Sequence, residues 1–302
     1  MTTEGTPGLI ARLEQVDRRV IFIIMALAIT LPIFTEWRLP TRPTPPVTDF
    51  YKAIEAIPEG STVCVADDWD PGSKAETQTA SIAVWKQLFR RNIRIVGICM
   101  WGTGEIIVSR THEQVALEMG KKYGEDYCYL GFKEGREIIM QGAAQNIRTV
   151  YPADSAGRSI DTLPVMNGVN SLRDLKMLVS VSAGYPGTKE WVQQVQKRFG
   201  IPMIAICNGV SEPEYQPYYA SGQLQGLVGG LANIAAYEGL TGDLGFATTS
   251  MVAQSSGHYM LAALVILGNW FYAVSRGRRR LAWTIAIVGI GFYGLTFWSI
   301  LR

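Results

Sequence analysis

Three carboxylates crowd one short stretch, Asp67, Asp68 and Asp70 in VADDWDPGSK. Carboxylate oxygens suit hard cations such as Mg²⁺ or Ca²⁺, and a pair can divide the work of nucleophile and base. Asp at a strand end also builds turns and caps, so the same residues serve a turn equally well. The stretch runs into Pro-Gly-Ser-Lys, and Pro-Gly-Thr-Lys recurs at 186–189. Ser73 and Thr188 can cap a helix start, whose free N–H groups attract anions, and Lys74 and Lys189 add charge. Neither loop has the GxxxxGK[ST] spacing of a P-loop or the GxGxxG of a dinucleotide site. Together with Asn208, the residues Asp67, Asp68, Asp70, Lys74, Thr188 and Lys189 form the candidate set for an anion, metal or small-ligand site. No catalytic residue, resident metal or cofactor is assigned.

The remaining chemistry-bearing residues have plainer readings. Cys64, Cys99, Cys128 and Cys207 fall in apolar strand-like runs, where cysteine behaves as a small buried hydrophobe, with a Cys64–Cys99 bridge as the alternative. His112 reads as the start of a helix, with Thr111 to Gln114 as its capping box. His258 stands at the mouth of an apolar span.

These residues need a scaffold. Short β-branched runs at 61–67, 93–101, 126–132, 176–183 and 202–209 alternate with helical stretches at 48–57, 75–91, 112–123, 135–147, 188–199 and 222–238. Apolar strands alternating with helices imply a parallel sheet covered on both faces. The expected fold class is α/β, a Rossmann-like doubly wound sheet of about five strands, over 47–240. In such a sheet ligands bind beyond the carboxyl ends of the strands. Segments 63–100 and 179–208 resemble each other as strand, Pro-Gly-Ser/Thr-Lys, helix and a strand ending in Ile-Cys, which reads as two similar βαβ units.

The segment EPEYQPYY, 212–219, reads as a rigid contact loop. It leads into a glycine-rich stretch, 221–240, with Leu224, Leu227 and Leu231 at helical spacing. Gly226 and Gly229 there invite close packing, on the domain's own sheet or against another subunit. Tyr215, Tyr218, Tyr219, Leu224, Gly226, Leu227, Gly229 and Leu231 are the candidate interface residues.

Composition sets the outer limits. Of 302 residues 48% are hydrophobic and only 18% charged, below the ~25% usual in soluble domains. The net charge of +2 gives no footing for nucleic-acid binding. The excess apolarity lies in 20–37, 257–274 and 281–302, which read as three transmembrane helices, the last two forming a hairpin. Arg12, Arg18 and Arg19 before the first span and Arg276, Arg278, Arg279 and Arg280 between the others outnumber Arg38, Arg42, Lys52 and Arg302 on the opposite flanks. Basic loops stay inside, so the tail 1–19 and the Arg loop 275–280 are placed in the cytoplasm. The domain is placed outside the cytoplasmic membrane, joined by a proline-rich spacer, 38–46, and a connector, 241–256. The expected function is a non-enzymatic scaffold or assembly subunit, a homo-oligomer or one partner among other envelope membrane proteins. The alternative is an extracytoplasmic enzyme or small-ligand receptor.

Overall fold

A computed structural model describes residues 16–35 and 41–301. Arg12, Arg38 and Arg302, named above, lie outside the described residues, as do most of the tail 1–19, the end of the segment 20–37 and the start of the spacer 38–46. The chain divides into two compact units, Thr41–Thr248 and the flanking Met1–Pro40 with Thr249–Arg302.

The larger unit is an α/β domain. Helix α1 (Arg18–Phe34) belongs to the other unit, and the domain opens with α2 (Pro45–Glu55). Then follow β1 (Thr62–Asp68), α3 (Lys74–Arg90), β2 (Arg94–Cys99), α4 (Glu105–Glu118), β3 (Tyr127–Phe132) and α5 (Arg136–Val150). After three short 3-10 turns come β4 (Leu178–Ser182) and α6, a helical run of Thr188–Trp191, a π turn Val192–Gln196 and Lys197–Phe199. The domain closes with β5 (Met203–Cys207), α7 (Glu212–Ala220), β6 (Leu227–Gly229) and α8 (Gly230–Thr241). All six strands are parallel, in the order β3-β2-β1-β4-β5-β6. That is the doubly wound order of Rossmann-type sheets, with its switch point between β1 and β4. Every residue of β1, β4 and β5 is buried, as a sheet covered on both faces requires. The two similar βαβ segments therefore meet at the centre, where Asp68 pairs with Ser182.

Several local expectations are corrected. The stretch 221–240 is not one helix. It contributes a sixth strand, then α8 begins at Gly230 with φ +72°. Gly226 lies so close to α2 that an added Cβ would stand 2.3 Å from Phe50 Cα. At Gly229 an added Cβ would stand 2.4 Å from Glu212 Cγ, and at Gly230 one would stand 3.0 Å from Gly209 Cα. Gly226 and Gly230 let the domain's own backbones approach, and Gly229 makes room for the Glu212 side chain. The segment 212–219 is helix α7 rather than a loop, because Pro213 sits in its first turn, where no N–H is needed. Pro45 and Pro46 likewise open α2 instead of extending a spacer. Helix α4 starts at Glu105, so Thr111 and His112 are mid-helix residues and not a cap.

The expected connector is also helical. Helix α9 runs from Phe246 to Ser275, and its first turn is closed by Glu238 from α8. The Glu238 carboxylate is buried and accepts from the backbone N–H groups of Gly245 (3.0 Å), Ala247 (3.2 Å) and Thr248 (2.8 Å), and from the Thr248 hydroxyl (2.6 Å). Side-chain acceptors at a helix start contribute typically ~1 kcal/mol each, and stranded buried donors cost more. Glu238→Ala is expected to destabilise the domain by about 2 kcal/mol or more, read as a lower melting temperature. An unchanged melt would show that water replaces the carboxylate freely.

Among the described residues the second unit holds three helices, α1, the rest of α9, and α10 (Arg279–Leu301). An added Cβ would stand 3.0 Å from Ile29 Cγ1 at Gly257 and 2.8 Å from Ile266 Cγ2 at Gly289, closer than van der Waals contact. The Tyr293 hydroxyl donates to Tyr259 O at 2.5 Å. A short turn, Arg276–Arg278, joins α9 to α10. Large apolar side chains such as Phe22, Val265, Ile287 and Ile290 are exposed. Among the described residues one helix, Phe246–Ser275, is long and apolar enough to cross a membrane. Of the three expected spans this is the one that meets that measure, and α1 has 17 residues.

Candidate functional site

The paired aspartates end β1 at the switch point, and neighbouring residues of a strand point to opposite faces. Each is captured by a tryptophan. On one face Asp67 accepts from the indole N–H of Trp69 (2.9 Å) and of Trp85 on α3 (3.3 Å). His112 Nε2 lies 2.7 Å from the same carboxylate, and its ring stacks on Trp85 at 3.9 Å between centroids. His112 Nδ1 is buried without a partner, so the proton is assigned to Nε2, the atom that donates to Asp67. Asp68 accepts from Met100 N–H and from the Trp191 indole, both at 2.7 Å. Both aspartates are fully buried.

Burial pushes the Asp68 carboxyl up to about 7, against the pull of its Trp191 and Met100 donors. The folded protein thus holds a proton that the unfolded chain releases near pH 4. The resulting stabilisation is complete below about pH 4, fades as pH rises towards about 7, and is lost above it. Asp68→Asn removes this titration. Its melting temperature should gain on wild type from pH 5 to about pH 7 and level off above that. A constant difference across that range would contradict the assignment.

The other candidates named from sequence do not converge on an open cleft. Asp70 forms a turn, accepting from Gly72 N–H at 3.0 Å, with Ser73 Oγ close by. Lys74 is exposed. Thr188 is buried and shares a hydrogen bond with Ser180 at 2.9 Å. Lys189 is paired with Glu214 at 2.8 Å. Asn208 ties two loops together through Ala183 O and Ser211 N. No group of three or more metal-ligating side chains exists among the described residues. All four cysteines are free and buried, so the Cys64–Cys99 bridge is absent. Burial raises each of their thiols well above the usual range. Ellman's reagent should leave all four unmodified in the folded chain and titrate all four in denaturant. Fast modification of any one in the folded state would show that its strand opens.

Of the candidate interface residues, Tyr215, Leu224 and Leu227 are core residues and cannot meet a partner. Gly226 and Gly229 are occupied by Phe50 and Glu212. Tyr218, Tyr219 and Leu231 are half-buried, and the Tyr219 hydroxyl donates to Asp49 at 2.6 Å.

The carboxyl edge does hold a cavity, of about 380 Å³, beside the predicted place. Its walls are the loop after β2 (Met100, Trp101, Gly102, Thr103), the loop after β3 (Phe132 to Arg136) and Tyr185 with Pro186 after β4. The Trp101 indole donates to Pro186 O at 2.8 Å and so joins two of the walls. Asp68 holds Met100, the first residue of one wall. The buried aspartate is thus a support beneath the cavity and not a ligand within it. Phe132, Lys133 and Arg136, in the loop after β3, were not among the candidates named from the sequence.

The fold and this cavity define the chain as a Rossmann-type α/β domain with a small concave site at its carboxyl edge. No family model matches the chain, and a comparison with curated proteins finds no match. Among solved structures, the apo form of the homocysteine methyltransferase MmuM from Escherichia coli shows 14% identity over 64% of this chain and 83% of that chain. Its TM-score is 0.22, too low to carry an argument about either fold or chemistry.

Proposed function

We propose that the chain is a membrane-anchored small-ligand-binding protein whose site is the cavity at the carboxyl ends of β2, β3 and β4. One observation carries this reading: a concave site of ligand-pocket size, walled by aromatic and cationic side chains, at the edge where doubly wound sheets take ligands. The anchoring rests on the apolar helix Phe246–Ser275 and on the apolar segments 20–37 and 281–302, with the amino terminus inside and the domain outside the cytoplasmic membrane. The test is a fragment library observed by ligand NMR on the full-length protein in nanodiscs, repeated on Gly102→Trp. An added side chain at Gly102 would start against the Phe132 ring at 3.1 Å and fill the cavity. Fragments that bind wild type and not Gly102→Trp support the reading, and hits indifferent to the substitution overturn it.

The scaffold reading keeps one supporting observation. Ile106, Ile138, Tyr185 and Val210 all lie in loops or first helical turns at the carboxyl edge, and all are more than half exposed. A partner protein seated there would explain them. A discrete complex on native mass measurement after gentle extraction, lost on Ile138→Asp, would favour assembly. A monomer would leave the ligand reading alone.

A further inference from the structure

The charged groups of the cavity do not play equal parts. Lys133 Nζ is engaged by Val150 O at 2.5 Å and lies 5.8 Å from the Tyr151 ring centre. Glu134 is exposed. Glu137, next to the cavity, is taken by the Tyr185 hydroxyl at 2.8 Å. Glu105 points an oxygen at Phe132 N–H, at 3.4 Å. Arg136 is different. Its guanidinium lies 5.3 Å from the centre of the Tyr185 ring and forms no ion pair with the described residues. A stacked guanidinium keeps its in-plane N–H donors free, and their fork matches the two oxygens of a carboxylate or phosphate. The backbone that presents it is unusual. Gly135 has φ +130°, and Arg136 itself has φ +46°, a conformation that non-glycine residues seldom adopt. Trp101, Phe132 and Tyr185 line the same cavity beside this cation.

We infer that the cavity takes a small organic oxyanion carrying a planar ring, with its carboxylate or phosphate on Arg136 and its ring against Trp101, Phe132 and Tyr185. This rests on the ligand-site reading above and adds the class of ligand. The volume admits molecules up to about the size of a mononucleotide. The site reads the oxyanion and the ring, and both a nucleotide and an aromatic acid provide the pair.

Calorimetry on the full-length protein in nanodiscs tests this. The probes are adenosine 5′-monophosphate and indole-3-acetate, their uncharged counterparts adenosine and indole-3-acetamide, and inorganic phosphate alone. The variant is Arg136→Asn, because Asn tolerates positive φ and the fold should persist, as an unchanged melting temperature would verify. At least one ring anion should bind saturably, at least tenfold tighter than its uncharged counterpart and than phosphate, and Arg136→Asn should weaken it tenfold or more. Preference between the two anions separates the phosphate from the carboxylate source. Equal binding of charged and uncharged rings, or full affinity in Arg136→Asn, overturns the anion assignment and leaves the ligand site standing. Failure of all the ring compounds overturns it too, and the fragment screen then shows whether the site itself survives.

Discussion

Asp67→Ala should lower the melting temperature of the full-length protein by roughly 6–20 °C, the largest effect of any single polar substitution in the domain. The carboxylate is fully buried, and three donors converge on it, the Trp69 and Trp85 indoles and His112 Nε2. Truncation strands all three in an apolar interior. Breaking a buried charge network in this way costs about 3–5 kcal/mol, a large share of the ~5–15 kcal/mol that holds an ordinary domain together. It also opens space beside the stacked Trp85–His112 pair, which packs against the Tyr129 ring. The near-ultraviolet circular dichroism of the tryptophans should weaken in parallel. A shift under about 2 °C would mean that the three donors find other acceptors and would overturn the argument.

The second large effect concerns a glycine. Gly226→Ala should destabilise the domain by about 3 kcal/mol, and Gly226→Leu should prevent stable folding. The added Cβ would lie 2.3 Å from Phe50 Cα and 2.4 Å from Phe50 N, both main-chain atoms that cannot rotate away. Helix α2 would have to lift off β6, uncovering Phe50 and Ile54. Gly239→Ala is the matched control. It lies inside α8 with nothing within 4 Å of the new methyl, so helix propensity should make it slightly stabilising, by about 1 kcal/mol. Limited proteolysis and thermal melts read both variants. Equal behaviour of the two would remove the argument that close backbone approach explains the glycines of this stretch.

That stretch also shows where reading residues in order stops being enough. Leu224, Leu227 and Leu231 at helical spacing suggested one amphipathic helix. The chain makes a strand and then a helix, and the break falls at Gly230, whose φ of +72° ends one element and aims the next. A three-residue edge strand is too short to show an alternating pattern, and it exists because β5 lies alongside to receive it. The prolines of EPEYQPYY and of PTPP carry the same ambiguity. Proline serves an extended loop and the first turn of a helix alike, and the neighbours that α2 and α7 cover decided between them.

By itself the sequence determined the features that depend on local periodicity and composition. Continuous apolar runs between helices required parallel strands covered on both faces, and five of the six strands lie where those runs are. The apolar character of 257–274 needed no neighbour to be evident. Tertiary structure alone decided what each polar residue does. Asp67, Asp68, Asp70, Lys74, Thr188, Lys189 and Asn208 look alike in sequence, as polar residues at strand ends. Only the strand order β3-β2-β1-β4-β5-β6 brings Trp85 and His112 over one aspartate and Trp191 over the other, turning them from exposed ligands into buried supports. The same order sets the loops after β2, β3 and β4 around a cavity whose lining residues Met100 and Pro186 stand 86 positions apart in the chain. Periodicity carries information over a few residues, and a site of that span is fixed by which strands become neighbours.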